Sequence, residues 1–428
     1  MRTRNFQALL PRLREVWRLS LPAILTQITT IAMQYIDSAM VGRLGANASA
    51  AIGLVASSTW LFNGVCYALS AGFSVQVAHR IGAGNARGAR SVEKNGLLAG
   101  LLVSGLLCLL GSLIHAQLPV WLKGDAEITG DAGRYFLSFS WMLPFTQLCS
   151  LTSSFLQCAG DMLTPSILNA VMCVLDVVFN ALLIPRLGVF GAGLGTMLAC
   201  AVVAVVMVIL CCFRNESLRF RSGEHHPVDG AVLKTALRIG TPVALQEVAM
   251  CGAQVVSTAI IAPLGALAVA ANAFAVTAES ICYMPGYGIA NAAAALVGRS
   301  VGAGDMESAK RDGNICIALG AFLMTCTGAV MMLICPLVFR MLTPVADVQQ
   351  LAARVLRIEL LAEPLFGASI VAAGALRGAG DTLVPSLLNL GSIWLVRVGS
   401  ALVLVPRFGL TGMWTAMAVE LCIRGLLL

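Results

Sequence analysis

The chain has 428 residues, of which 58% are hydrophobic and only 11% charged, against about 45–50% and about 25% in a soluble globular protein. That excludes a single aqueous core and makes lipid the solvent. The net charge of +7 is spread in short basic clusters between apolar runs, the placement that membrane topology requires, so no nucleic-acid partner is expected. The 14 cysteines lie mostly inside apolar runs, with no CxxC pair or Cys/His ligand spacing, and are expected to pack as small hydrophobes without a structural metal.

In chain order, the stretch from Leu9 to Arg18 alternates apolar and basic residues at helical spacing and reads as a short interfacial helix with Trp17 at headgroup level. Apolar runs of about 20 residues then mark spanning helices. In the first half they fall at 17–41, 48–75, 95–116, 134–157, 165–184 and 191–213. In the second half they fall at 238–261, 268–294, 314–341, 354–376, 383–405 and 410–428. The first run is long, is preceded by arginines and has a counterpart in the second half, which is unlike a cleaved signal. The last run stops at Leu428 without a polar tail, and the native chain is expected to continue beyond it. The expected organisation is a six-helix lobe over 1–213, a cytoplasmic linker over 214–237 rich in Arg, Glu, His, Pro and Gly, and a second six-helix lobe over 238–428.

Loop charge sets the orientation. Nineteen of the 28 basic residues fall on one side, among them Arg12, Arg14, Arg80, Arg87, Arg214, Arg219, Arg299 and Lys310; eight fall on the other, and Arg397 lies within a helix. The positive-inside rule then places both termini and the linker in the cytoplasm. Because six spans is an even number, both halves enter the membrane in the same sense, so the two repeats are parallel.

The two halves are copies. Leu156 to Asn169 returns as Leu376 to Asn389 with nine of fourteen positions identical, at an offset of 220 residues. The same offset carries Pro22 onto Pro242, Gly82-Ala83-Gly84 onto Gly302-Ala303-Gly304 and Pro144 onto Pro364, and one inserted residue makes it 221 at Pro185 and Pro406. Residues present in both copies are explained by the fold: prolines start or kink helices, and the Ala-Gly-Asp turns at 159–161 and 379–381 offer aspartates as caps for the helices that follow. The Gly-Ala-Gly turns are followed by polar loop and not by a Lys-Ser/Thr helix start, which excludes a phosphate loop.

Polar residues present in one copy only are functional candidates, because an ionisable group in hydrocarbon costs about 2.5–3.5 kcal/mol and the sister repeat does without it. Asp37 maps to Ser257, Glu247 to Gln27, Glu279 to Thr59 and Glu363 to Leu143; on the later offset Asp176 maps to Arg397 and Asn180 to Ala401. Asp176 and Asn180 share one face of the fifth span, about 16 Å along it from Pro165 and so near mid-membrane. A carboxylate beside an amide oxygen suits a proton or a hard cation, and Thr196 on the sixth span adds a hydroxyl. Asp37 also admits a plain reading as an interfacial acid near Arg43. In the second lobe Glu247, Glu279, Glu363 and Arg397 form a candidate charge cluster, with Glu363 the expected partner of Arg397, either as a static brace or as a pair that opens when a cation arrives. Met33, Gln34, Tyr35, Tyr283, Met284 and Tyr287 are candidate walls of a substrate chamber, and interhelical packing explains them equally well.

Several stretches carry a resemblance: Leu21-Pro-Ala-Ile-Leu-Thr-Gln27, Val-Gly-Arg-Leu-Gly45, Tyr-Met-Pro-Gly-Tyr-Gly288, Leu-Val-Gly-Arg-Ser-Val-Gly-Ala-Gly-Asp305 and Ala-Leu-Arg-Gly-Ala-Gly-Asp-Thr382. Over nearly its whole length the chain resembles the multidrug and toxic compound extrusion (MATE) transporters. The resemblance implies an all-α, V-shaped, two-lobed transporter of twelve spans in two parallel six-helix repeats. It implies export of cationic, amphipathic compounds across the bacterial cytoplasmic membrane by alternating access, in exchange for H⁺ or Na⁺, by a monomer with no other cofactor. It also implies cation-binding roles for Asp37, for the Asp176/Asn180 pair, whose order is reversed relative to many members, and for Thr196. Glu247 and Glu363 stand on the helices that carry acids in some members, about one turn away. A lipid-intermediate flippase of related fold is the alternative; it favours several cationic residues in its chamber, whereas five acids stand here against one arginine. No nucleophile or paired acid–base constellation points to an enzyme.

Overall fold

The computed structural model describes residues 2–221, 223–224 and 227–428, and the side chains of these except 2–11 and 46. His225 and His226 of the expected linker lie outside the described residues. Among the described residues every regular element is helical and none is a strand. The interfacial helix expected before the first span is continuous with it, as α1 (Arg2–Gly42). There follow α2 (Ala46–Gly82), α3 (Ala86–Ile114), the one-turn α4 (Leu118–Trp121), α5 (Ala126–Cys158) and α6 (Leu163–Ile209). The second half brings α7 (Gly230–Ile261), α8 (Ala266–Gly302), α9 (Met306–Leu342), α10 (Ala346–Leu360) and α11 (Glu363–Ala379). It closes with α12 (Leu383–Gly391), a π-helical stretch (Ser392–Val398), α13 (Gly399–Phe408) and α14 (Leu410–Leu427).

Nine helices among the described residues are long and apolar enough to cross a membrane. The difference from the twelve expected runs has local causes. The fifth and sixth runs follow one another within α6, where the backbone leaves helical conformation only at Gly188 (φ 59°, ψ −135°). Gly409 (φ 57°, ψ −140°) makes the same break between α13 and α14, three residues after Pro406 as Gly188 is three after Pro185. Both need the positive φ that glycine adopts without steric cost. The fourth run, in α5, is diluted by polar side chains such as Ser138, Ser140, Thr146 and Gln147, and the tenth is interrupted between α10 and α11, just before Pro364.

The repeated turns act as the sequence indicates. Asp161 accepts from the backbone N–H of Thr164 at 3.0 Å and from its hydroxyl at 2.7 Å, capping α6, and Asp381 accepts from the N–H of Val384 at 3.2 Å at the start of α12.

The chain packs as two compact units. The N unit comprises residues 28–247 and 298–305; the C unit comprises 1–27, 248–297 and 306–428. The opening half of α1 therefore belongs to the C unit, and the 214–237 segment and the opening half of α7 belong to the N unit. In the N unit Phe73, Leu151 and Phe155 centre one core, and Phe62, Phe136 and Phe139 a second, in which Phe62 meets Phe136 edge-on at 5.6 Å. The 214–229 stretch is strapped to α3: Arg90 donates to both carboxylate oxygens of Glu224 at 2.7 and 2.6 Å, and Asn95 accepts from the N–H of Asp229 at 3.0 Å. In the C unit Met331, Phe339, Leu356 and Trp414 lie in the main core. Distribution of polarity is inverted relative to a water-soluble protein: Leu102, Leu333 and Met341 are 69%, 80% and 81% exposed, whereas Asp176, Asn180, Glu359, Glu363 and Glu420 are fully buried. Hydrocarbon covers the former; the latter need a reason to be inside.

Candidate functional site

In the N unit α1 supplies Asp37 and α6 supplies Asp176 and Asn180, one turn apart on one face. The Asn180 side-chain nitrogen donates to Asp37 Oδ1 at 2.8 Å and to Asp176 Oδ1 at 3.2 Å. Both hydrogens of one amide are thus committed to two carboxyl groups. Their accepting oxygens can be no farther apart than about 6 Å, where two negative charges repel by about 3 kcal/mol even at an effective dielectric of about 20. Asp176 Oδ2 and Asn180 Oδ1 are buried and have no hydrogen-bond partner. Such a group of oxygen atoms lacks positive charge, and a proton or a hard cation would supply it. A close approach holds the amide in place: a Cβ on Gly195 would overlap Asn180 Oδ1, so only glycine fits where the last part of α6 passes.

Thr196, expected to join this group, donates its hydroxyl to the carbonyl of Ala192 in its own helix at 3.1 Å. Tyr135 of α5, to which no sequence signal pointed, stands within Coulombic reach of both Asp37 and Asp176. Its neighbour by three, Ser138, donates to the Tyr135 carbonyl at 2.8 Å.

The C unit holds a different arrangement. Arg397 pairs not with Glu363, as expected, but with Glu420 of α14: its Nε and Nη2 donate to Glu420 Oε2 at 3.2 and 2.7 Å. The π-helical stretch sets Ser392 and Arg397 on the same carboxylate, Ser392 Oγ donating to Oε1 at 2.7 Å, and Arg424 lies 3.3 Å from Oε1 in the next turn of α14. One buried acid thus holds two arginines. The correction has a geometric cause: Glu363, at the start of α11 after the helix break at Leu361–Ala362, lays its side chain against α9, where a Cβ on Gly328 would lie 3.1 Å from Glu363 Cγ. Glu363 and Glu359 are both fully buried, and neither carboxyl has a hydrogen-bond partner. Glu279 of α8 is within Coulombic range of Arg397 and Arg424 and of Glu359.

Glu247, expected in this cluster, belongs to the N unit, where α7 packs so close to α2 that a Cβ on Gly64 would lie 2.9 Å from Glu247 Cβ. Glu359, Glu420 and Arg424 are additional buried charges that the candidate set lacks, although the rule applied to the other acids finds them: their first-copy counterparts are Phe139, Ala199 and Val203. Among the described residues no group of three His, Cys, Asp or Glu side chains is placed to hold a metal ion.

The expected chamber residues fall in both units. Met33, Gln34 and Tyr35 are in the N unit, with Gln34 and Tyr35 exposed. Tyr283, Met284 and Tyr287 are in the C unit, where Tyr283 meets Tyr287 at 5.9 Å and Phe366 at 5.8 Å, and Arg424 lies over the Phe366 ring at 5.2 Å.

Known proteins are similar to this chain in sequence and in fold. A protein from Rhodopseudomonas palustris named a probable multidrug resistance protein NorM is 30% identical over 449 residues, covering 98% of this chain and 93% of its own. One of the same name from Thermotoga maritima is 28% identical, covering 97% and 90%. The crystal structure of a mutant Vibrio cholerae MATE transporter superposes with a TM-score of 0.89 at 18% identity over 97% of this chain and 95% of that one. The MatE family model matches twice, over residues 22–182 and 242–403, once in each copy of the internal repeat, and the chain therefore belongs to the MatE family of membrane transporters.

Proposed function

We propose that this protein is a secondary multidrug exporter of the bacterial cytoplasmic membrane, expelling cationic amphipathic compounds in exchange for H⁺ or Na⁺ by alternating access, as a monomer with both termini in the cytoplasm. The observation that carries the reading is the pair of carboxyl groups, Asp37 and Asp176, held on one buried amide with unpartnered oxygens beside them. Cation binding there relieves the repulsion between α1 and α6, and so couples ion occupancy to the packing of those helices. Coupling further requires that ion and drug differ in affinity for two conformations. The relatives' names, multidrug resistance proteins, support drugs as the substrate class. A lipid pyrophosphate is a poor fit, because Arg397 and Arg424 of the C unit share Glu420 and the three together carry one net positive charge.

The test is uptake of a fluorescent cation into proteoliposomes under Na⁺ and pH gradients imposed separately. One of the two gradients drives uptake by the wild type; Asp37→Asn and Asp176→Asn bind the dye but lose gradient-driven movement. Variants that still accumulate dye against the gradient would overturn the coupling role of this site.

A further inference from the structure

The internal repeat gives the ion site of the N unit a counterpart in the C unit, and there the charge is inverted. Asp37 corresponds to Ser257, Asp176 to Arg397, Asn180 to Ala401 and Thr196 to Met417. The structure holds a cavity of about 30 Å³ at that place, lined by Gln254, Ser257, Asn272, Arg397, Trp414 and Met417 among others, with no carboxylate in its wall. Its volume matches one water-sized or halide-sized group. Apolar side chains, Ile261, Val276 and Met413 among them, share the wall with a set of donors. Trp414 Nε1 donates to Asn272 Oδ1 at 3.0 Å, which fixes the amide and leaves its NH₂ available. Arg397 gives Nε and Nη2 to Glu420, and its Nη1 has no hydrogen-bond partner among the described residues. Glu420 is already shared with Arg424, so the two guanidinium groups are only half neutralised by it. Glu279 acts on both arginines through space and lines no part of the cavity.

We infer that this cavity is an anion subsite, in which Arg397 Nη1 and the Asn272 amide hold a small anionic group, either the carboxylate of a zwitterionic substrate or a free monoanion such as chloride. A guanidinium presents its donors as a fork, so one edge can serve Glu420 while the rest serves a ligand. The acidic copy attracts the coupling cation, and the basic copy, with its unshared guanidinium edge, selects an anion of matching charge. The substrate-carboxylate form rests on the export reading above; the binding measurement below does not depend on transport.

The experiment is equilibrium binding, by fluorescence polarisation, to the purified full chain of rhodamine B, which carries a free carboxylate, and of its ethyl ester, a simple cation. Arg397→Gln is expected to weaken the acid about tenfold or more while the ester changes less than about twofold. Gln254→Glu leaves the Arg397–Glu420 pair intact and places a negative charge on the cavity wall; it is expected to shift the acid-to-ester ratio in the same direction, which keeps the test open if Arg397→Gln folds poorly. Chloride titrated against bound rhodamine B separates the two sources: competition assigns the site to the free anion, and its absence together with the ratio shift assigns it to the substrate carboxylate. An unchanged ratio in Gln254→Glu and in folded Arg397→Gln, with no chloride competition, would overturn the inference. Failure of the gradient-driven uptake described above would leave this binding result standing, so the two readings fail separately.

Discussion

The two copies of one repeat solve the same problem, polar groups inside the hydrocarbon, in opposite ways. In the N unit two acids share one neutral amide and are left short of positive charge. In the C unit one acid, Glu420, serves two arginines and a serine and is satisfied on both oxygens. The first arrangement is one that a cation or proton would stabilise; in the second the acid already holds its counter-ions. Equal backbone therefore does not mean equal chemistry: a pair of acids short of positive charge and a charge-paired brace occupy corresponding places. Even the packing follows the division. Gly195 leaves room for Asn180, whereas its counterpart Ala416 stands with Ala401, where no amide has to be housed.

The comparison breaks most visibly at Glu420. Glu420→Ala leaves two buried guanidinium groups without their acid and is expected to destabilise the protein by about 3–5 kcal/mol, read as a lowered midpoint in thermal unfolding in detergent. A midpoint close to the wild type would mean that the brace is not structural. Next comes Gly195→Ala, whose methyl group displaces the Asn180 amide at an expected cost of about 1–3 kcal/mol. Adding Asn180→Ala to it reproduces the Ala401/Ala416 pair of the other copy and should restore stability while ion coupling stays lost. If the double variant is no more stable than Gly195→Ala alone, the two positions are not coupled as the packing indicates. Asp161→Ala, at the turn the copies share, is expected to cost about 0.5–2 kcal/mol through loss of the α6 cap, without altering the ion dependence of uptake.

The smallest effect sharpens the site's membership. Thr196→Ala is expected to change stability by less than about 0.5 kcal/mol and to leave gradient-driven uptake intact, since the hydroxyl is bonded to its own helix. Loss of coupling in that variant would return Thr196 to the cation site.

Much of the site is legible in the sequence because a buried charge is costly and the repeat shows where the fold does without it. Asp37, Asp176 and Asn180 emerge in that way, two of them on one helix at a spacing that guarantees a shared face. The same rule, applied evenly, reaches Glu420 and Arg424 as well, but their helix reads as an apolar run near the chain end, which masks the charges within it. The partner of Arg397 is not legible from helix order, because the helices that carry Glu363 and Glu420 both neighbour its own along the chain, and packing alone selects Glu420. Glu359 and Glu363 lie on either side of a helix break, and a run of hydropathy does not reveal where a helix is interrupted.

Composition, hydropathy and the repeat are enough to establish that the chain is helical, membrane-embedded and duplicated, and they mark the Pro, Gly and Asp positions that start, break and cap its helices. These are local matters, governed by transfer of side chains to lipid and by backbone geometry within a few residues. Helix packing settles the rest: which acid meets which base, which oxygens stay unpartnered, and that one copy closes on an amide while the other opens a cavity beside an arginine. Some of these pairings join residues more than a hundred positions apart, as Asp37 and Asn180 are, and even the nearer ones, such as Arg397 with Glu420, link separate helices. Their distances depend on how the helices pack, which hydropathy and spacing along the chain do not encode.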